Sequence, residues 1–543
     1  METAKPTGWQ RAWQQQGQRA GSGHCNSKAN GLATGCLRAK KLSIRRVCFV
    51  DCYVVYWVQV LIFRMSLSAC LCRDVFVGTI MFLIGFKGID HGYSSYLLHF
   101  TRELSMKAFI NGIILDGTKN MSPITGKSIL VDGDRIKDIV DSNSNPEGCE
   151  IVDLNGKYIM PGLINMHVHI PANGKPKNKP TNYDLLGKLL KFGIVRKIVF
   201  NMCENYIKDE VFSGTTTVRA VGGVFHFDSK LRDKINAGKA VGPRIIACNY
   251  AVSVPGGHMT GTVALPAHSV DEAVAMVQDL HDNGADWIKL MITGGVLDAE
   301  VPGEPGVLKM PAEYVKAACG KAHELGHKVA AHVEGSEGMQ IALENGVDTI
   351  EHGGKPNERT AELFKEKGAA LVATISPALP FSVMDHAVSH IDEIGLVNGK
   401  ALFNHMIECI NTCRANGIPV GLGTDVGCPF TTHYDMWREL YWYNKIIGVS
   451  AKECIYSATG LNASIAGIDN EVGTIEQGKS ADFIILSKNP LEDLTILRSP
   501  DEVYFRGSKV KGRPKKFEDV ERELDKLMQI YEAKAGNTDF DNK

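Results

Sequence analysis

Leu163-Ile164-Asn165-Met166-His167-Val168-His169 is a short apolar run that closes on two histidines. Its composition suits a buried strand. The period of two along a strand puts both imidazoles on one face, aimed at one locus. Further runs of the same kind follow at Thr215–Ala220, Arg244–Asn249, Trp287–Ile292, Lys328–Val333, Thr349–His352, Ala370–Ile375 and Pro419–Thr424. Amphipathic stretches separate them, among them Val270–Asp282, Pro311–Leu325 and Lys400–Asn416. Alternation of this kind argues for an α/β fold with a parallel sheet, and eight units argue for a (β/α)8 TIM barrel.

Such barrels carry their chemistry at the C-terminal ends of the strands. The first run ends in His167 and His169, and the fourth carries Lys289 between apolar neighbours. The fifth ends at His332, the sixth at Glu351-His352 and the eighth at Thr424-Asp425. Imidazoles and a carboxylate brought to one mouth suit Zn²⁺ and similar divalent metals. A lysine inside an apolar strand is expensive to bury as an ammonium, so it wants a partner or chemical modification. A single histidine near a strand end is more often an ordinary hydrogen-bonded residue. His226, His281, His323, His327, His386 and His405 are read that way. The joint placement of His167, His169, Lys289, His332, His352 and Asp425 is what points to a metal centre.

Working outward, Ala108–Leu115, Ser128–Val131, Arg135–Val140 and Glu150–Leu154 read as short strands, punctuated by Asn111-Gly112, Asp132-Gly133 and Asn155-Gly156. Similar runs recur late, at Ala481–Leu486 and Glu502–Arg506. The pattern predicts a small composite β-sandwich domain built from residues 106–161 plus 468–512, around a barrel at 162–467. In the tail, residues 513–543, the spacing of Phe517, Val520, Leu524, Leu527 and Tyr531 predicts an amphipathic helix docked on the barrel or on a partner subunit.

Residues 1–105 are unlike the rest. They hold thirteen Lys and Arg against five acids, a net +8 that contrasts with −9 for the remainder, and six of the 14 cysteines. An asymmetry this large marks a boundary. Val47–Phe63 is nearly all apolar, a basic run at Arg38–Arg46 precedes it, and a second apolar run, Asp74–Phe86, follows. The segment reads as an upstream extension foreign to the folded domain, with Met106 opening a natural start, as a signal-anchor with its basic flank in the cytosol, or as a poorly ordered tail. Membrane contact is expected only if 47–86 is a true anchor; otherwise the protein is expected in the cytoplasm. Over all 543 residues the formal net charge is −1, which provides no global field for nucleic acid. Apolar residues at 44% exclude a wholly disordered chain. The cysteines are too dilute for a disulfide scaffold and form no CxxC pair.

The run Met160-Pro161-Gly162-Leu163-Ile164-Asn165-Met166-His167-Val168-His169 resembles the opening signature of the amidohydrolase superfamily. Val152-Asp153-Leu154-Asn155-Gly156-Lys157 before it fits the same pattern, as does the late Gly473-Thr474-Ile475-Glu476-Gln477-Gly478-Lys479-Ser480-Ala481-Asp482. Gly242-Pro243-Arg244, Val254-Pro255-Gly256-Gly257-His258 and Gly284-Ala285-Asp286-Trp287-Ile288-Lys289 look like the imidazolonepropionase-like branch, which includes Xaa-Pro dipeptidases and ochratoxin-type carboxypeptidases. The similarity covers about residues 106–512.

The resemblance implies two divalent metal ions, Zn²⁺ by expectation. His167 and His169 would hold one and His332 and His352 the other, with a CO2-derived carbamate on Lys289 between them. Asp425 would bind the first metal and act as acid and base, and His258 would polarise the substrate carbonyl. The implied reaction is attack by a metal-held hydroxide on the amide bond of a small molecule such as a dipeptide or N-acyl amino acid. Tyr250 and Arg244 are candidates for the substrate carboxylate, although Arg244 also reads as a brace after Pro243. A homo-oligomer is expected. Cyclic-amide hydrolysis, deamination and lactone or phosphotriester hydrolysis stay open within the same superfamily, with Lys289 arguing against a mononuclear deaminase. A non-catalytic scaffold is disfavoured because all six ligand positions are filled. One departure stands out: Arg219 is followed by Ala220, where relatives often have an acid.

Overall fold

The computed structural model describes residues 106–142, 148–177, 189–384 and 386–535. The extension, with its candidate anchor at 47–86, lies outside the described residues. Among those described, no helix is long and apolar enough to cross a membrane.

The chain opens with six short strands: β1 (Met106–Ile110), β2 (Ile113–Ile114), β3 (Lys127–Asp132), β4 (Arg135–Asp141), β5 (Glu150–Asp153) and β6 (Tyr158–Pro161). Barrel-forming strands follow: β7 (Leu163–Val168), β8 (Thr215–Ala220), β9 (Arg244–Ala247), β10 (Ala251–Ser253), β11 (Ala264–Pro266), β12 (Trp287–Met291), β13 (Lys328–Val333), β14 (Thr349–His352), β15 (Ala370–Ala373) and β16 (Val420–Leu422). The chain then returns to the small sheets with β17 (Phe483–Leu486), β18 (Glu502–Phe505) and β19 (Ser508–Lys509).

The two ends of the folded region meet in β6 and β17, which pair antiparallel with Met160 opposite Ile484. One small sheet runs β4-β3-β1-β5 and the other β19-β18-β17-β6-β2. They share one apolar cluster in which Phe109 packs edge-on against Phe483 and Tyr504. Residues more than 300 positions apart in sequence thus bury one another.

The barrel strands form two parallel sheets, β7-β8-β9 and β11-β10-β12-β13-β14-β15-β16. The expected third run breaks after Ala247 into β9 and β10, and the seventh ends at Ala373 because a helix, Ile375–Val383, begins there. Backbone contacts join the sheets at both seams. Asp286 N–H donates to the Ala247 carbonyl at 2.7 Å on one side, and Asp425 N–H to the His167 carbonyl at 2.9 Å on the other. Asn165 and Thr424 bond each other across the second seam. Gly423 permits this approach, since a Cβ there would stand 2.6 Å from the His167 Cβ. The result is an α/β fold of the TIM-barrel family with additional small mixed sheets contributed by both ends.

The tail forms the expected helix, Glu518–Ala535. It docks on this chain's own barrel through Val520, Leu524, Leu527 and Met528. Its acids Glu521 and Asp525 meet Arg438 and Arg498. Leu524, 1% exposed, packs with Phe430 and Val520. Leu524→Ala is expected to lower the unfolding free energy by about 2–4 kcal/mol. The check is the shift of the urea midpoint at unchanged slope.

Candidate metal centre and active site

The histidines of β7, β13 and β14 converge as the strand-end argument predicts. The His167 and His352 rings lie 4.7 Å apart and His332 and His352 4.8 Å apart, measured between centroids. His169 is 5.3 Å from His167. Asp425 Oδ1 stands 3.4 Å from His167 Nε2 and 3.3 Å from His169 Nε2. Ligand atoms of His167, His352 and Asp425, all buried, lie within 4.8 Å of one another, a spacing a single metal ion can bridge. His352 (φ 68°) and Asp425 (φ 57°) both hold left-handed backbone. An L-residue adopts it at a cost of roughly 1–3 kcal/mol, and such strain concentrates at functional sites.

Each imidazole has one nitrogen committed to the protein and one left over. His167 Nδ1–H donates to Glu351 Oε2 at 2.8 Å, and His169 Nδ1–H to the Gly222 carbonyl at 3.0 Å. His332 Nε2–H donates to the Gly294 carbonyl at 3.1 Å, and His352 Nδ1 bonds Thr374 Oγ1 at 2.7 Å. A carboxylate and a carbonyl only accept, so the proton sits on the bonded nitrogen and the lone pair on the other. This is how metal-ligating histidines are usually oriented. Burial, followed by the positive charge of Lys289, lowers His167 to about 4, so the ring stays neutral and able to ligate. Burial also drives His332 and His352 well below the ordinary value. Burial would raise the Asp425 carboxyl, but the surrounding His167, His169 and His352 hold it well below the usual range.

Lys289 lies on β12, fully buried, with its Nζ making no hydrogen bond. Burial pulls the amine down to about 8, against the opposing attraction of Glu351. A buried donor without a partner is costly, which fits an amine awaiting a further group. The donor set and the orphaned amine together fit divalent metal ions.

Glu351 is the anchor behind this shell. Arg219 Nη2 donates to its Oε1 at 2.7 Å, and Thr349 Oγ1 donates to the same oxygen at 2.6 Å. The Arg219 guanidinium is also held by the Met166 carbonyl and stacks 4.7 Å over the Trp287 ring. Burial would push the Glu351 carboxyl up, yet Arg219, the His167 hydrogen bond and Lys289 keep it well below the usual range. The departure at Ala220 leaves this clamp intact, because Arg219 takes its carboxylate from β14.

His258 stacks on His332 with ring centroids 4.1 Å apart and planes 5° apart, and its Nδ1 bonds Asp298 Oδ2 at 2.8 Å. The cavity is lined by His167, His169, His258, Lys289, His332, His352 and Asp425. It is also lined by Glu334 and Cys428, and by an apolar wall that includes Met291, Phe381, Leu402 and Met406. The Cys428 thiol donates to Asp425 Oδ2 at 3.3 Å and so fixes that carboxylate.

A model of the amidohydrolase family matches residues 158–510. The chain belongs to the amidohydrolase family. That makes it a hydrolase of the kind that acts on C–N bonds. The ochratoxinase of Aspergillus niger is 26% identical over 382 residues, 65% of this chain and 75% of that protein. The imidazolonepropionase of Picrophilus torridus is 24% identical over 71% of this chain and 92% of its own length. Among solved structures, an Xaa-Pro dipeptidase with methionine bound in its active site superposes with a TM-score of 0.66 at 30% identity, covering 75% of this chain and all of the other.

Two expected substrate contacts are not in the cavity. Tyr250 is buried, its hydroxyl bonds the backbone of Phe225, and its ring packs against Phe225 and His226. It does not line the cavity. Arg244 opens β9 at the opposite end of the strand, facing Glu471 and Asp482 at 3.4 and 3.5 Å. The reading of Arg244 as a brace is the one its position supports. Conversely, Asp298, Glu334, Thr374 and Cys428 were not singled out in sequence. Only Glu334 carried a signal: it stands two residues after His332, the same period that joins His167 and His169. His281 and His327 bond each other at 2.8 Å outside the cavity, as ordinary structural histidines do.

Proposed function

We propose that the chain is a metal-dependent amidohydrolase that cleaves the amide bond of a dipeptide or N-acyl amino acid, in a (β/α)8 barrel flanked by a composite β-sandwich. The observation that carries this reading is Lys289, an amine without a partner in a cavity ringed by imidazoles with free lone pairs. A neutral buried amine can take up CO2 as a carbamate. The nitrogen-rich donor set favours Zn²⁺. His167, His169 and Asp425 would hold one ion and His332 and His352 the other, with the modified Lys289 between them. When bound, such ions acidify water and polarise the scissile carbonyl.

The chain's own residues supply the rest. Asp425, held at Oδ2 by the Cys428 thiol, is placed to take the proton of the attacking water and return it to the leaving nitrogen. His258, paired with Asp298 and stacked on His332, lines the cavity and is placed to polarise the substrate carbonyl oxygen. The apolar wall excludes bulk water and strengthens both interactions. The methionine in the related Xaa-Pro dipeptidase supports a small amino-acid-derived substrate.

The test is the full chain reconstituted with Zn²⁺, with and without bicarbonate, and assayed on dipeptides, N-acyl amino acids, cyclic amides and lactones. About two metals per chain are expected, with turnover in at least one of the first two classes. Turnover confined to cyclic amides or lactones would replace the substrate assignment. Absence of stoichiometric metal would end the hydrolase reading.

A further inference from the structure

The loop after β7 carries His169 and the loop after β16 carries Asp425, and the two loops are pressed together. His169 N–H donates to the Val426 carbonyl at 3.0 Å, and Phe430 N–H to the Gly174 carbonyl at 2.7 Å. A Cβ on Gly427 would stand 3.0 Å from the Ala172 Cβ and 3.1 Å from the His169 Cβ. One on Gly174 would lie 1.8 Å from the Thr431 carbonyl oxygen. Ala172, Gly427 and Cys428 line the cavity, so any slip between the loops moves its wall.

His433, 3% exposed, fastens the loops to each other and to the helix Gly193–Phe212. Its Nε2 bonds the Ala172 carbonyl at 2.8 Å, and its Nδ1 meets Oε1 of the buried Glu210 at 3.1 Å. The Tyr206 ring stacks on it with planes 21° apart. A carbonyl only accepts, so Nε2 carries a hydrogen. A carboxylate oxygen and an imidazole lone pair repel, so a second hydrogen sits between Nδ1 and Oε1, on one atom or the other. The pair therefore holds one proton more than a neutral imidazole beside a carboxylate. Burial works in the same direction, raising the Glu210 carboxyl above its ordinary value against the attraction of His433. The neighbouring groups are committed elsewhere or uncharged. β7 and β8 present Asn165 and Thr215 to Glu210. Asp209 lies beside His433 but accepts the Lys515 N–H, and Asp435 is turned to Thr432 and Arg438.

We propose that Glu210 and His433 form a proton-locked clamp, in which one shared proton ties the loop of His169 to the loop of Asp425 through the Ala172 carbonyl and makes the site sensitive to alkaline pH. Both are positioning residues, since neither lines the cavity. The clamp stands without the amidohydrolase reading; only its effect on turnover rests on that reading. An unfolded histidine gives up its proton near about pH 6.5. The native pair keeps it, so the clamp's contribution is complete below that pH and fades as pH rises through the range where the pair lets the proton go. In Glu210→Gln an amide N–H can donate to Nδ1, and the contact persists with no extra proton.

The experiment follows the urea midpoints of the metal-loaded full chain and of Glu210→Gln from about pH 6 to about pH 9. The parent's folding equilibrium is expected to weaken relative to the variant by up to about tenfold per pH unit while the pair titrates. A difference that is constant, or that grows in the parent's favour toward high pH, overturns the shared proton.

Turnover is then measured in His433→Phe on whichever amide the parent cleaves. The expected loss is about 10- to 100-fold in kcat with KM changed little, because the loops of His169 and Asp425 lose their tie while the apolar wall remains. An unchanged kcat in a folded His433→Phe overturns the positioning role. If that variant fails to fold, the alkaline limb of kcat decides: it should move to higher pH in Glu210→Gln, and an unmoved limb overturns the role. If the parent cleaves no amide, the hydrolase reading fails, and the pH-dependent stability difference still supports the clamp.

Discussion

Lys289→Ala is expected to lower turnover by roughly 10³-fold or more, and to reduce metal content below that of the parent. The alanine variant lacks the amine that would become the bridging anion, so two cations in one cavity would face each other with less negative charge between them. Fold stability should change little. Lys289 is fully buried and its Nζ has no hydrogen-bond partner, so its removal takes away a desolvation cost together with the side chain. Short carboxylates should partly restore the variant by occupying the vacated space, whereas bicarbonate should help only the parent. Activity and metal content of both proteins, measured after reconstitution with and without bicarbonate, decide the matter. Near-parental turnover with a full metal complement in Lys289→Ala would sink the carbamate mechanism. A mononuclear site on His167, His352 and Asp425 would then be the better account.

Arg219→Met should have the largest effect on stability, about 3–5 kcal/mol. Arg219 and Glu351 are both fully buried and joined at 2.7 Å. Removal of the guanidinium leaves an uncompensated carboxylate in the barrel interior. It also frees the Met166 carbonyl and Thr349 hydroxyl from their partner. Arg219→Met combined with Glu351→Leu should recover most of the stability, since an apolar pair of similar volume replaces the buried ions. The double variant should still be a poor enzyme, because His167 would lose the acceptor that orients its ring. Denaturant melts of the three proteins, paired with metal content, separate the two effects. A single variant within about 1 kcal/mol of the parent would show that the clamp is not what holds Glu351.

Much of the site was legible because strand periodicity and strand position carry it. A ligand at the C-terminal end of a parallel strand needs no knowledge of its neighbours to be placed near the mouth; His167, His169, His332, His352 and Asp425 obey this rule, and Lys289, in the middle of β12, lines the same cavity. Tyr250 fails it because the chain breaks between β9 and β10. Tyr250, in that break, packs against Phe225 and His226 rather than continuing the inward and outward alternation. Arg244 fails it for a simpler reason: it stands at the start of its strand, the wrong end for chemistry.

The amino-acid sequence by itself determined the alternation of strand and helix, the pairing of early and late β segments into one small unit, the tail helix and the positions of the candidate ligands. These depend on local periodicity, which a linear pattern expresses. Only the tertiary structure decided which nitrogen of each histidine is spare, that Arg219 grips Glu351 across 132 positions of sequence, that Cys428 steadies Asp425, and that Glu334 lines the cavity. Those facts depend on side-chain hydrogen bonds between strands distant in sequence, and a bond of that kind has no period to reveal it.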